Sequence, residues 1–268
     1  DLDQHLRDTI RSAVTERRCV FVAGLPGSGK SLIVKHAALA AAELGRTIHT
    51  LQWDVARLPF DTPGILARYP EIAGVTHAAI RLAVGRWARG AVLRWHRAHP
   101  DPRHLLVGET PLVGERLMEL ARPRNDELEP LLASDATCFV VPVPSREVRR
   151  AIEDARASDM ADARDPKSAP PDVVRSHWGD IERVAVALGA ARPGVPGEYD
   201  PDLYAAAYRR LLRQRHVVIA PVTEVARADA RPLSGVTALV PTSDEVATAM
   251  REVERSSPEE IARTAAEW

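Results

Sequence analysis

Residues Gly24-Leu25-Pro26-Gly27-Ser28-Gly29-Lys30-Ser31 follow the pattern G-x-x-x-x-G-K-S. Each residue type in that spacing has a physical task. Gly24, Gly27 and Gly29 let the backbone curl so that successive N–H groups point inward, a concavity that suits phosphate oxygens. Pro26 and Ser28 complete the curl, and a helix beginning near Gly29 adds the positive end of its dipole. Lys30 supplies a point charge for the β- and γ-phosphates, and the Ser31 hydroxyl is a ligand for Mg²⁺. The chemistry implied is binding of ATP, or another nucleoside triphosphate, with Mg²⁺. The chain holds only three lysines, Lys30, Lys35 and Lys167, among 36 basic residues, so a lysine at this position stands out against an arginine-rich background.

The motif acts this way only between a strand and a helix, and the flanking sequence provides both. Arg18 to Ala23 is a short apolar run of the kind that forms a buried parallel strand. Leu32 to Leu44 reads as a helix stopped by Gly45, and Thr47 to Trp53 as a second strand ending at Asp54. An amphipathic helix over 5–17 precedes the first strand. Residues 55–75 carry Pro59, Pro63, Gly64, Pro70 and Gly74 and read as irregular, with at most a short helix. A long helix is predicted over 76–99, a third strand over 103–108, a helix over 112–120 and a fourth strand over 137–143. Ser145 is placed to cap the next helix. Residues 158–171 are polar and Pro-rich and read as a loop. Helices over 173–188 and 203–214 lead to a fifth strand, 216–221. A weak strand over 237–240 and two helical stretches near 243–255 and 258–267 follow. Strands alternating with helices predict an α/β fold with a parallel sheet and right-handed crossovers.

This order and the glycine loop resemble the P-loop kinase superfamily, in its branch of nucleoside and nucleotide kinases, shikimate and gluconate kinases and related small-molecule phosphotransferases. The resemblance covers roughly residues 15–222, and only the loop is specific. It implies a three-layer sandwich with a five-stranded parallel sheet in the order 2-3-1-4-5. It further implies an acceptor-binding insert over 55–100 and a lid-like region over 145–172, all within a domain of residues 1–222. Residues 223–268 form a C-terminal extension of that domain or a small appendage.

The same resemblance assigns roles by position. Asp54, at the end of the second strand, corresponds to a carboxylate that aligns the acceptor hydroxyl on the γ-phosphate; its alternative is a turn or cap residue before Val55. Glu109, after Leu105-Leu106-Val107-Gly108, falls where a carboxylate holds Mg²⁺, although many members have Asp there. Arg149 and Arg150 correspond to lid arginines that neutralise charge during transfer, with Arg156 and Arg164 as weaker candidates. Arg57, Asp61 and Arg68 lie in the acceptor region, and Trp53 is placed either to stack on a ring or to pack under the sheet. Trp87, Trp95, Arg81, Arg86 and Arg94 punctuate the long helix, one face of which is expected to line the pocket.

Composition bounds the reading. The 268 residues carry a formal net charge of −1, which does not favour nucleic acid as a partner. No run approaches the roughly 18 apolar residues of a membrane span, and the first residues lack the form of a signal peptide; a cytoplasmic protein is the expectation. Cys19 and Cys138 sit in strand-like runs and read as two buried thiols. The nine histidines offer no evident metal set: His96 and His99 share a helix face without a third ligand. A G-x-S-x-G elbow and a G-x-G-x-x-G fingerprint are both absent.

The leading expectation is a phosphotransferase acting on a small hydroxylated or phosphorylated acceptor. Two alternatives stand beside it: an ATPase or GTPase switch or motor acting on a macromolecule, and a nucleotide-responsive regulatory protein. Neither N-K-x-D nor a run of four apolar residues before D-E supports the switch. The regulatory reading rests on the C-terminal region, which could also serve self-association.

Overall fold

The computed structural model describes residues 3–25, 28–72, 75–114, 116–161, 171–190, 198–225 and 235–266. Helix α1 (Gln4–Glu16) starts where the Asp3 carboxylate accepts the Leu6 N–H, at 2.8 Å, and buries Leu6, Ile10 and Val14. Strand β1 (Cys19–Ala23) is buried throughout. Helix α2 (Lys30–Glu43) ends in a Schellman turn: Gly45 has φ +67°, its N–H donates to Ala42 O, and Arg46 N–H donates to Ala41 O, both at 2.9 Å.

Strand β2 (Thr47–Gln52) runs into α3 (Trp53–Arg57), a single 3₁₀ turn (Leu58–Phe60) and α4 (Pro63–Arg68). The stretch expected to be irregular is therefore mostly short helices. Pro59 and Pro63 initiate rather than break: Pro59 lies in the first positions of the 3₁₀ turn, and Pro63 in the first turn of α4 behind the cap Thr62. Trp53 belongs to a helix rather than to the end of the strand.

Helix α5 (Ala78–Ala98), β3 (His104–Thr110), a 3₁₀ turn (Met118–Leu120) and α6 (Glu129–Ala133) follow. The helix expected over 112–120 is confined to that 3₁₀ turn, entered through Leu117 at φ 59°. Then come β4 (Thr137–Pro144), α7 (Arg146–Ala161), α8 (Pro171–Ala187), α9 (Pro201–Leu211), β5 (Val217–Val222), β6 (Val236–Ala238), α10 (Ser243–Val253) and α11 (Pro258–Ala266). Ser145 caps α7 through Val148 N, at 3.2 Å. The loop expected over 158–171 is helical at its start, and its centre lies outside the described residues.

Among the described residues all strand pairs are parallel, and the sheet order is β5-β4-β1-β3-β2-β6. That sheet has six strands where five were expected. The extra one is the weak C-terminal strand, which pairs with β2 through Ile48↔Val236, His49↔Thr237 and Thr50↔Ala238. Side chains of β1 alternate between two cores. Cys19, Phe21 and Ala23 face the side of α5, α9 and α10, whereas Val20 and Val22 face α1 and α2. Cys19 and Cys138 are free and buried, and burial pushes both thiols up to about 12.

Helices α10 and α11 pack on α5. A capping box starts α10: Thr242 Oγ1 accepts from Glu245 N, and the Glu245 carboxylate accepts from Thr242 N. The same carboxylate accepts from Trp87 Nε1 on α5, at 3.2 Å.

A buried ion network fixes the segment between β3 and β4. Arg89 of α5 binds Asp126, Glu129 and the Glu119 carbonyl, and Arg215 clasps Glu129 from the other side at 2.6 and 3.1 Å. The Glu119 side chain is gripped by Arg122 and Arg124.

No described helix is long and apolar enough to cross a membrane.

Candidate functional site

Strand β1 ends at Ala23, and the chain turns at Gly24 and Leu25 toward α2. Only glycine fits at position 24. A Cβ there would lie 2.5 Å from Ser28 Oγ and 2.9 Å from the Tyr204 hydroxyl. Tyr204, on α9, accepts the Leu25 N–H at 2.9 Å and so holds the start of the turn from behind. Burial pushes its phenol up to about 12, so it is neutral and available as an acceptor. Ser28 N donates to Leu25 O at 3.1 Å, while the Ser28 hydroxyl is buried without a well-formed hydrogen bond. Gly29 takes φ +87° and opens α2 in the left-handed region, a conformation that favours glycine. Pro26 and Gly27 lie outside the described residues.

Lys30 is the first residue of α2. Its buried ammonium donates to Leu25 O at 2.9 Å and lies 3.9 Å from Glu109 Oε1. Ser31 Oγ donates to the Glu109 carboxylate, 3.1 Å from Oε2 and 3.3 Å from Oε1. Glu109 comes from β3, opposite Val22 of β1. Sheet register therefore brings this acid to the loop from 78 residues away.

The arrangement passes a chemical test for the ligands its residue types imply. A hydroxyl and a carboxylate form a hard oxygen pair suited to Mg²⁺. Glycines at 24 and 29, beside a lysine and a helix N-terminus, suit the approach of phosphate.

The acceptor-side residues distribute less simply. Asp54 is exposed in the first turn of α3. It follows Gln52, which pairs with Glu109, so it stands at the same end of the sheet as Ser31 and Glu109. Arg57 and Asp61 are brought together, but as an ion pair of 3.1 Å that also engages Glu71 at 2.6 Å. Arg68 turns outward and pairs with Glu254 beyond α10, at 2.6 Å.

The two expected lid arginines diverge. Arg149 is buried, donates to Glu153 at 2.7 Å and lies 5.6 Å from the Tyr199 ring centroid, close to the tyrosines that support the loop. Arg150 is exposed and pairs with Glu198 at 3.2 Å. Arg164 lies outside the described residues, as does the side chain of Arg156. Trp53 is buried at the start of α3 and packs in the core.

Two residues that sequence reasoning did not single out shape the site. Tyr204 is one. The other is Arg116, whose guanidinium lies 5.8 Å from the Trp53 ring centroid. Burial lowers its pKa, and the Asp54 carboxylate opposes that shift. As one arginine in an Arg-rich chain it gave no local signal, and its part depends on the fold bringing residues 54 and 116 together.

Comparison of the chain with protein-family models, with curated proteins and with solved structures returns no match.

Proposed function

We propose that this protein binds a nucleoside triphosphate with Mg²⁺ at the turn after β1 and transfers the γ-phosphoryl group to a small hydroxylated or phosphorylated acceptor. The observation that carries the reading is the meeting of Lys30, Ser31 and Glu109 around a turn in which only glycine fits at position 24. The backbone N–H groups of the turn and Lys30 hold the phosphates. Ser31 and Glu109 hold Mg²⁺, which when bound neutralises charge on the phosphate oxygens. The order of the first five strands, 2-3-1-4-5 when counted from the β2 side, supports kinship with the small-molecule kinases that the chain resembles.

Transfer to an acceptor needs alignment and charge neutralisation more than covalent help from the protein. Asp54 is exposed at the right end of the sheet to accept a hydrogen bond from an acceptor hydroxyl. Arg116, held beside it over Trp53, is the cation best placed to offset negative charge on the acceptor. Arg57 is already balanced by Asp61 and Glu71, so it braces the wall of the site.

The test follows labelled γ-phosphate from ATP, and separately from GTP, into a panel of nucleosides, nucleoside monophosphates, sugars, hydroxy acids and hydroxylated antibiotics. Label transferred to one acceptor, and lost in Lys30→Ala and Asp54→Asn, is the expected outcome. Label released only as free phosphate, with Asp54→Asn unaffected, would replace the transferase by a nucleotide hydrolase.

A further inference from the structure

At the other end of the sheet three histidines converge from three elements. His49 is the third residue of β2, His104 opens β3, and His99 follows the last turn of α5. Thr47 stands opposite His104 in the register, so His49 and His104 are diagonal neighbours on one face of the sheet. That face is the one α5 covers, which brings His99 above the pair. Ring centroids are 4.4 Å apart for His49 and His99, 4.5 Å for His99 and His104, and 5.2 Å for His49 and His104.

We propose that His49, His99 and His104 bind a divalent transition-metal ion of the Zn²⁺ class, with a fourth coordination position left to an exchangeable ligand. One ring nitrogen from each residue lies within 4.8 Å of the other two, and His49 Nε2 is 3.0 Å from His104 Nδ1. Metal–nitrogen bonds of about 2.0–2.1 Å in a tetrahedron place ligand atoms roughly 3.4 Å apart. The trio brackets that spacing, one pair slightly tight and the wider separations within reach of a side-chain rotation.

The orientation of His99 is already set. Its Nδ1 is 2.9 Å from Trp95 O, which fixes the proton there and leaves Nε2 as a lone pair. This is the backbone-carbonyl support that metal-ligating histidines commonly have. The donor set, three imidazoles with neither carboxylate nor thiolate among them, suits zinc, copper or nickel and not Mg²⁺ or Ca²⁺.

The second observation is a cavity of about 360 Å³ that His49 and His99 help to line. Trp87, Trp95, Leu239 and Arg94 form much of the rest of its wall. A metal on the trio would therefore have an open side toward a mostly apolar chamber in which Arg94 is already paired with Glu245, which leaves water or another small exchangeable molecule as the fourth ligand. The site is independent of the nucleotide reading. His104 and Glu109 lie at opposite ends of β3, about 17 Å apart along the strand.

The experiment titrates the chelator-stripped full chain with ZnCl₂ by calorimetry, without nucleotide and in excess Mg²⁺. One equivalent is expected to bind. Affinity is expected to fall at least about 100-fold in His99→Gln and in His104→Gln, while His96→Gln and Ser31→Ala bind zinc as the wild type does. Circular dichroism of each variant checks that it is folded. X-ray absorption of the wild-type zinc complex needs no variant and is expected to count three imidazole nitrogens. Absence of stoichiometric binding, equal affinity in folded His99→Gln and His104→Gln, or fewer than three imidazoles would overturn the proposal.

Discussion

At the C-terminal ends of β1 and β3, the polar groups that meet come from the Leu25 carbonyl, the first turn of α2 and a single acid on the neighbouring strand. At the N-terminal ends of β2 and β3, three imidazoles arrive from two strands and a helix end, and two of them, His49 and His99, line a cavity. The first cluster is organised by backbone: a left-handed Gly29, a turn without a side chain at 24, and a helix N-terminus. The second is organised by packing of α5 and β6 around β2. Lys30 and Glu109 bring formal charge to the first cluster, whereas the second is made of imidazole rings. His49 is pushed down to about 4, chiefly by burial and then by His99 and His104, so its ring is uncharged at neutral pH. The proposed hard-oxygen site and the proposed imidazole site would therefore not compete for the same ion.

Lys30→Ala breaks this comparison most severely at one end only. Phosphoryl transfer is expected to fall by about 10³-fold or more, as for loss of a charge that stabilises the transferring group, with zinc affinity unchanged; a parallel loss of zinc binding would show that the two ends are coupled. Next in size is Arg215→Ala, in the ion network that ties the segment after β3 to the fold. Its side chain is fully buried, and its removal leaves the Glu129 carboxylate with one cation, Arg89, and the Arg124 N–H. A loss of about 3–5 kcal/mol in urea unfolding is expected.

The same network sets a pH dependence. Burial would raise the Glu129 carboxyl, but hydrogen bonds from Arg215 and Arg89 outweigh burial and hold it below its ordinary 4.5. Its contribution to stability is therefore present above pH 4.5 and is lost as pH falls through the folded-state value. Glu129→Gln should flatten the stability–pH curve on that acid limb.

Asp54→Asn tests the nucleotide end more finely. The expected loss is about 10²-fold in transfer rate, with nucleotide affinity essentially that of the wild type in equilibrium titration. The smallest effect belongs to the other end. Glu245→Ala removes the reciprocal cap of α10 and the partner of Trp87 Nε1 at the cavity wall. It should cost about 1–2 kcal/mol in thermal or urea unfolding and leave nucleotide binding untouched.

What could be read from the sequence follows the same division. Strand β1 and helix α2 were legible because their signals are contiguous: an apolar run, then a spaced set of glycines and a lysine at the helix start. The place of Glu109 near the end of β3 was legible because a run of buried strand residues precedes it. Arg149 and Arg150 are adjacent in sequence, yet one is buried against tyrosines and the other is exposed, because neighbours on a helix face different ways. The helices of residues 53–68 were hidden by prolines that sit at helix starts. The histidine trio was hidden for another reason. Pairing His96 with His99 used helical spacing, the only relation a sequence displays, whereas the partners of His99 lie on β2 and β3 and meet it only through sheet register.

Strand β6 covers the outer edge of β2 with only three residues. During synthesis β2 emerges long before them, and until residue 238 has cleared the ribosome β2 presents an unpaired edge capable of templating another strand. The nascent chain would thus carry an adhesive border through most of its translation. Slowing elongation just upstream of β6, or trapping the chain there, should lengthen its dependence on chaperones, whereas release past β6 should end it.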